Sequence, residues 1–138
     1  MSARTLLTMV DIAHRENAIA LCREAGRQQR PGDTLHVAYV MPYGHFSYVE
    51  PFVSEESFKK AAERAHAELS AIVVEAQINA TEHVLRGSVG EQAMLLAKKV
   101  SSDLLLINAH RPDVRLHTLG SYATQIVRHA TCSVFVKR

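Results

Sequence analysis

Tryptophan is absent from this chain of 138 residues, cysteine occurs only twice and proline four times. Cys22 and Cys132 stand far apart and neither belongs to a Cys-x-x-Cys pair, so neither a disulfide framework nor a zinc site is indicated. Buried, unreactive thiols are the expectation. No apolar run reaches membrane-spanning length. From Met1 to Val10 the only charge is Arg4, and no small-residue cleavage pattern follows, which argues against a secretory leader and for the cytoplasm. Excess charge is lacking too: 16 Lys and Arg against 14 Asp and Glu give +2, with signs interspersed and no basic stripe for a nucleic acid. The eight histidines are scattered without His-x-His or His-Glu-x-x-His spacing, so no metal set is indicated. Neither a Gly-x-Ser-x-Gly elbow nor a Gly-Lys-Ser/Thr phosphate loop occurs.

What is there is an apolar fraction of 47%, enough for one good core in one domain over residues 1–138. Strands alternate with helices. Thr5 to Val10 reads as the first strand, and His14 to Arg30 as a helix with Ala18, Leu21, Cys22 and Ala25 on one face, stopped by Pro31-Gly32. Thr34 to Val40 is the second strand, ended by Met41-Pro42-Tyr43-Gly44, which should not continue a central strand. Ser54 caps a long helix striped by Phe58, Ala62, Ala65, Leu69, Ile72 and Ala76. Glu82 to Arg86 forms the third strand, and Ser88-Val89-Gly90-Glu91 fits a capping box opening a third helix. Asp103 to Asn108, a helix from Gly120 to His129, and Ser133 to Val136 complete five strands and four helices.

That alternation implies right-handed crossovers and a mostly parallel α/β sheet covered on both faces. Ligands of such sheets bind beyond the carboxyl ends of the strands, where strand order reverses. Asp11, Val40, Asn108 and Gly120 all fall at that edge. The apolar run Leu104 to Ile107 leads into Asn108-Ala109-His110-Arg111-Pro112, and Leu119-Gly120-Ser121-Tyr122 opens the next helix. Free backbone N–H groups and the positive end of a helix dipole there suit phosphate, although Gly120 could equally supply a simple turn.

The residues from Ile107 to Asp113, Leu119-Gly120-Ser121, and Val127-Arg128-His129-Ala130-Thr131-Cys132-Ser133-Val134-Phe135-Val136 closely resemble the C-terminal signature of universal stress proteins. Val10-Asp11-Ile12, the strand Leu35 to Val40 and the turn Gly87-Ser88-Val89 resemble other segments of that family, so the resemblance covers essentially the whole chain. It implies an open sheet of order 3-2-1-4-5, like that of the adenine nucleotide alpha hydrolases, and a dimer seam at Ser133 to Val136. In one branch it implies ATP held by Gly-x-x-Gly, a nine-residue gap and Gly-Ser/Thr. Here Asn108 and Arg111 stand where that motif has its first glycines, and the gap from Pro112 to Leu119 is eight residues. The His-Arg-Pro-Asp form instead resembles the small F/G-like branch.

Carried over by position, the resemblance assigns Asp11 to the base or ribose, Val40 to the adenine, and Ile107 and Asn108 to the ribose. It assigns Gly120, Ser121 and Tyr122 to the phosphates. Arg111 would clamp the phosphates through its planar donors or fill their space. Each residue also has a plainer role: Asp11 as a helix cap, Asn108 as a turn residue, Arg111 as the partner of Asp113. Tyr43, Phe46, Tyr48 and Phe52 would form a lid or a partner surface, or else a satellite cluster under a long loop.

Three readings follow. One is a dimeric stress-response module that binds ATP, ADP or AMP, with magnesium accompanying ATP, and signals to a regulatory protein partner. Another is a slow ATPase or self-modifying enzyme using the same pocket, with His110 the best acid, base or phosphoryl acceptor. The last is a ligand-free dimer acting through protein contacts.

Overall fold

The computed structural model describes residues 2–42, 55–111 and 119–138. The order is β1 (Thr5–Met9), α1 (Arg15–Gln28), β2 (Thr34–Pro42), α2 (Glu55–Ala76), β3 (Thr81–Gly87), α3 (Val89–Lys99), β4 (Leu104–Asn108), α4 (Ser121–His129) and β5 (Ser133–Lys137). All five strands are parallel, in the order β3-β2-β1-β4-β5.

Side chains of successive strand residues point to opposite faces, and both faces here are apolar. Leu6, Val37 and Leu106 join Leu21 and Cys22 of α1 and Leu69 and Ile72 of α2 in one core. Leu7, Ala38, Leu105 and Ile107 join Ala93 and Leu96 of α3 and Ala123 and Ile126 of α4 in the other. Burial pushes the Cys22 thiol up to about 12, as expected of an inert core thiol, whereas Cys132 is only half-buried.

The amino-terminal edge of the sheet is tied by Asp33. Its carboxylate accepts the Arg30 N–H at 3.0 Å, the Arg4 N–H at 2.8 Å, and the Arg4 guanidinium at 3.0 and 3.1 Å.

Two local expectations fail. β2 runs on through Met41 and Pro42, paired only with β3 there, because its ladder with β1 ends at Met9 opposite Ala38. Beyond that point the proline's missing N–H costs no bond on the β1 side. Ser88 does occupy the cap position of α3, but its side chain makes no capping bond, so the Ser88–Glu91 box does not form. The proposed cap Ser54 and the aromatics Tyr43, Phe46, Tyr48 and Phe52 lie outside the described residues.

Candidate functional site

The connections part between β1 and β4: α1 leads from β1 towards β2, while α4 leads from β4 towards β5 on the other side. The loops leaving the carboxyl ends of these adjacent strands therefore diverge and leave a crevice, at the sheet edge to which the sequence assigned Asp11, Val40, Asn108 and Gly120. A cavity of about 850 Å³ opens there, within the range of small-molecule sites. Asp11, Arg111, Ser121 and Tyr122 line it.

The other four expected residues lie alongside the cavity rather than in its wall. Val40 and Ile107 are buried in the α3/α4 core, since strand alternation turns their side chains away from the opening. Tyr39 and Met41, on either side of Val40, line it instead. Asn108 ends β4, half-buried and in register with Lys137 of β5. Gly120 caps α4 at an ordinary φ of −66°, and its N–H donates to the Ala109 carbonyl at 2.7 Å. Within α4 the amides of Ser121, Tyr122 and Ala123 have no helical partner, because the Thr124 N–H is the one that reaches the Gly120 carbonyl.

Asp11 does not cap α1. Its Oδ1 accepts the Ala13 N–H at 3.0 Å in an Asx turn, and His14 takes the cap position with its Nε2 3.9 Å from Asp11 Oδ2. The Asp11 side chain remains 51% exposed and faces the opening. Tyr39 packs against the α1/α2 core and Tyr122 against the α3/α4 core, so the two phenols reach the cavity from opposite sides of the sheet. Burial and then the Asp11 charge raise both phenols, with Glu68 adding to Tyr39. Both stay protonated and able to donate.

Sequence reasoning missed Tyr39, Arg64 and Glu68, and undervalued the start of α3. Ser88, Val89 and Gly90 line the same cavity as Ser121 and Tyr122, so two helix N-termini converge on it. Gly87, at φ +136°, makes the turn that brings α3 there. A Cβ at Gly90 would meet only the movable end of the Gln125 side chain on α4. The signal was present in the Gly87-Ser88-Val89-Gly90 run, but which helix ends meet is decided by sheet order. His110 does not line the cavity, and its Nδ1 lies 2.9 Å from the Arg111 carbonyl oxygen. Residues Pro112 and Asp113, including the suggested Arg111–Asp113 pair, lie outside the described residues.

Chemically, such a cavity accepts an anion at the two helix starts and offers neutral donors and a carboxylate to a polar ring or hydroxyls. The family model for the universal stress protein family matches residues 3–138. The chain belongs to that family. Universal stress protein G of Escherichia coli O157:H7 is 26% identical over 141 residues, covering 98% of this chain and 99% of the relative. This agrees with the F/G-like form of the C-terminal signature. Among solved structures, a universal stress protein in complex with cAMP superposes with a TM-score of 0.66 at 16% identity, covering 99% of this chain and 97% of the other. One from Archaeoglobus fulgidus in complex with dAMP gives 0.65 at 18% identity, with both chains covered completely. These likenesses carry the fold, which is that of the stress proteins.

Proposed function

We propose that this universal stress protein is a single-domain binding module for an adenine nucleotide, held in the cavity beyond β1 and β4. The observation that carries the reading is the meeting of Asp11, two neutral tyrosines, Arg111 and the starts of α3 and α4 around one opening of nucleotide size. Family relatives solved with dAMP and cAMP support the choice of ligand class. Asp11 accepts from the ribose hydroxyls or the base, and Val40 contributes its backbone beside Tyr39. Ile107 and Asn108 border the ribose from the end of β4. Arg111 and the amides of Ser121 and Tyr122 hold phosphate, with Gly120 setting the helix start. The ligand is ATP, ADP or AMP, and magnesium accompanies ATP. Occupancy then alters a surface read by a regulatory protein partner in the cytoplasm.

The same reading makes the chain a homodimer through β5. This short strand is a sheet edge with half-buried Val134, Phe135 and Val136, and edges of that kind are seldom left bare. Sedimentation of the wild type should give twice the chain mass, and Val134→Pro should shift it towards monomer. A wild type that stays monomeric at high micromolar concentration refutes the dimer.

The nucleotide is tested by mass spectrometry of small molecules released from freshly purified protein, together with calorimetry using ATP, ADP and AMP. Heat on titration and weaker ATP binding by Arg111→Ala are expected. Tighter binding by that variant would mean that Arg111 occupies the phosphate space. No heat and no carried nucleotide would overturn the reading in favour of a ligand-free dimer.

A further inference from the structure

Two imidazoles meet head-on across the seam between β2 and β3. His36 Nδ1 lies 2.8 Å from His83 Nε2, and the ring centroids are 5.1 Å apart. That separation is the gap plus two ring radii almost in line, so the nitrogens point at each other and not together at a third atom. The register sets His36 opposite Thr81 and His83 opposite Ala38, which makes the two histidines diagonal neighbours. They share the sheet face of Ala38, Val40 and Leu85, the face covered by α3 and α4.

Head-on contact admits one proton between the rings. In the neutral pair one N–H donates to the other ring's lone pair, and a single positive charge preserves that arrangement. Two charges set N–H against N–H, and the bond must break. Among the described residues the surroundings do not relieve this. From α3 comes another cation, Lys99, whose charge acts on His83. The β1 residue opposite His36 is Leu7. Glu82 lies on the opposite face of β3, where Ser70 and His66 of α2 hold it. Burial lowers the proton affinity of both rings, and the His36 and Lys99 charges lower that of His83 further.

We propose that His36 and His83 form an acid-sensitive latch on edge strand β3, closed by one hydrogen bond when the pair is neutral or singly charged and released when both rings are protonated. Among the described residues β2 is the only strand that pairs with β3, so its backbone ladder is a single seam. At its carboxyl end Gly87 leads into Ser88, Val89 and Gly90, a wall of the candidate cavity. Release of β3 therefore loosens that wall. The effect on a bound ligand rests on the nucleotide reading, whereas the latch itself does not.

The sign is fixed by the depressed proton affinity. A free histidine titrates near about 6.5. Below that value the opened strand binds more protons than the closed one, so closure weakens as pH falls, by about tenfold per pH unit for each proton taken up on opening. Hydrogen exchange of the Leu85 amide, which strand alternation turns towards β2, measured without nucleotide on the full chain, should show protection falling by about that factor between pH 6.5 and 5.5, while Leu105 of β4 holds constant. His36→Asn and His83→Gln, which set an amide near each bonding nitrogen, should together abolish the fall. Imidazole ¹⁵N titration of the wild type gives a second readout, with proton uptake in two separated steps. Independent titration of both rings near the free value, a flat β3 protection profile, or an equal fall in the double variant would each overturn the latch. If the latch holds and calorimetry shows no nucleotide heat, only the ligand consequence fails.

Discussion

The Gly120 N–H donates to the Ala109 carbonyl at 2.7 Å, which ties the start of α4 to the end of β4 across the loop that leaves the sheet. This bond, more than backbone freedom, anchors the helix end at the cavity. The φ of Gly120 suits any residue, and a Cβ there would sit 3.5 Å from the Ala109 oxygen and the His110 Cα, ordinary contact distances. Gly120→Ala should therefore change stability by less than about 0.5 kcal/mol. Gly120→Pro deletes the donor and strands a carbonyl, so it should cost about 1–3 kcal/mol. Chemical denaturation of both variants checks this, and equal losses would refute the anchoring role.

Asp11 acts on the phenols of Tyr39 and Tyr122 from between them. Removing its charge in Asp11→Asn should lower the ionisation range of both tyrosines, because only burial, and for Tyr39 also Glu68, would still hold them up. Ultraviolet titration of the phenolates, with Tyr39→Phe and Tyr122→Phe to assign the steps, reports this directly. Identical titrations in wild type and Asp11→Asn would dissolve the proposed cluster.

The Asp33 carboxyl is held down to about 2, first by the Arg30 and Arg4 backbone donors and then by the Arg4 side chain. An unfolded aspartate titrates near about 3.9, so this stability is complete above that value and lost as pH falls towards the folded one. Asp33→Asn should lower the Tm at neutral pH and flatten the acid side of the stability profile between those limits. An unchanged acid limb would show that other carboxylates dominate it.

Thr8 is fully buried in the central strand, and among the described residues its hydroxyl has no hydrogen-bond partner. Thr8→Val keeps the branched shape and removes the desolvated oxygen, so it should stabilise the fold by about 1 kcal/mol. A destabilised variant in thermal melts would mean that the hydroxyl finds a partner in solution.

Elements were legible in the sequence because burial follows local period. The stripe from Ala65 to Ala76 and the run Leu104 to Ile107 show which residues turn inward without reference to any other segment. Glycine and proline marked most boundaries, and the C-terminal run from Val127 to Val136 carried the family. Pro42 was misjudged because its acceptability depends on where a different strand stops.

The sequence by itself determined the α/β alternation, the two apolar faces of each strand, and the nomination of Asp11, Arg111, Ser121 and Tyr122, which line the cavity. Only the tertiary structure decided that the starts of α3 and α4 share one cavity, that Tyr39 replaces Val40 in its wall, and that His36 faces His83. The reason is physical: periodicity assigns a residue to a face, but pairing between strands distant in sequence sets which faces, and which charges, meet.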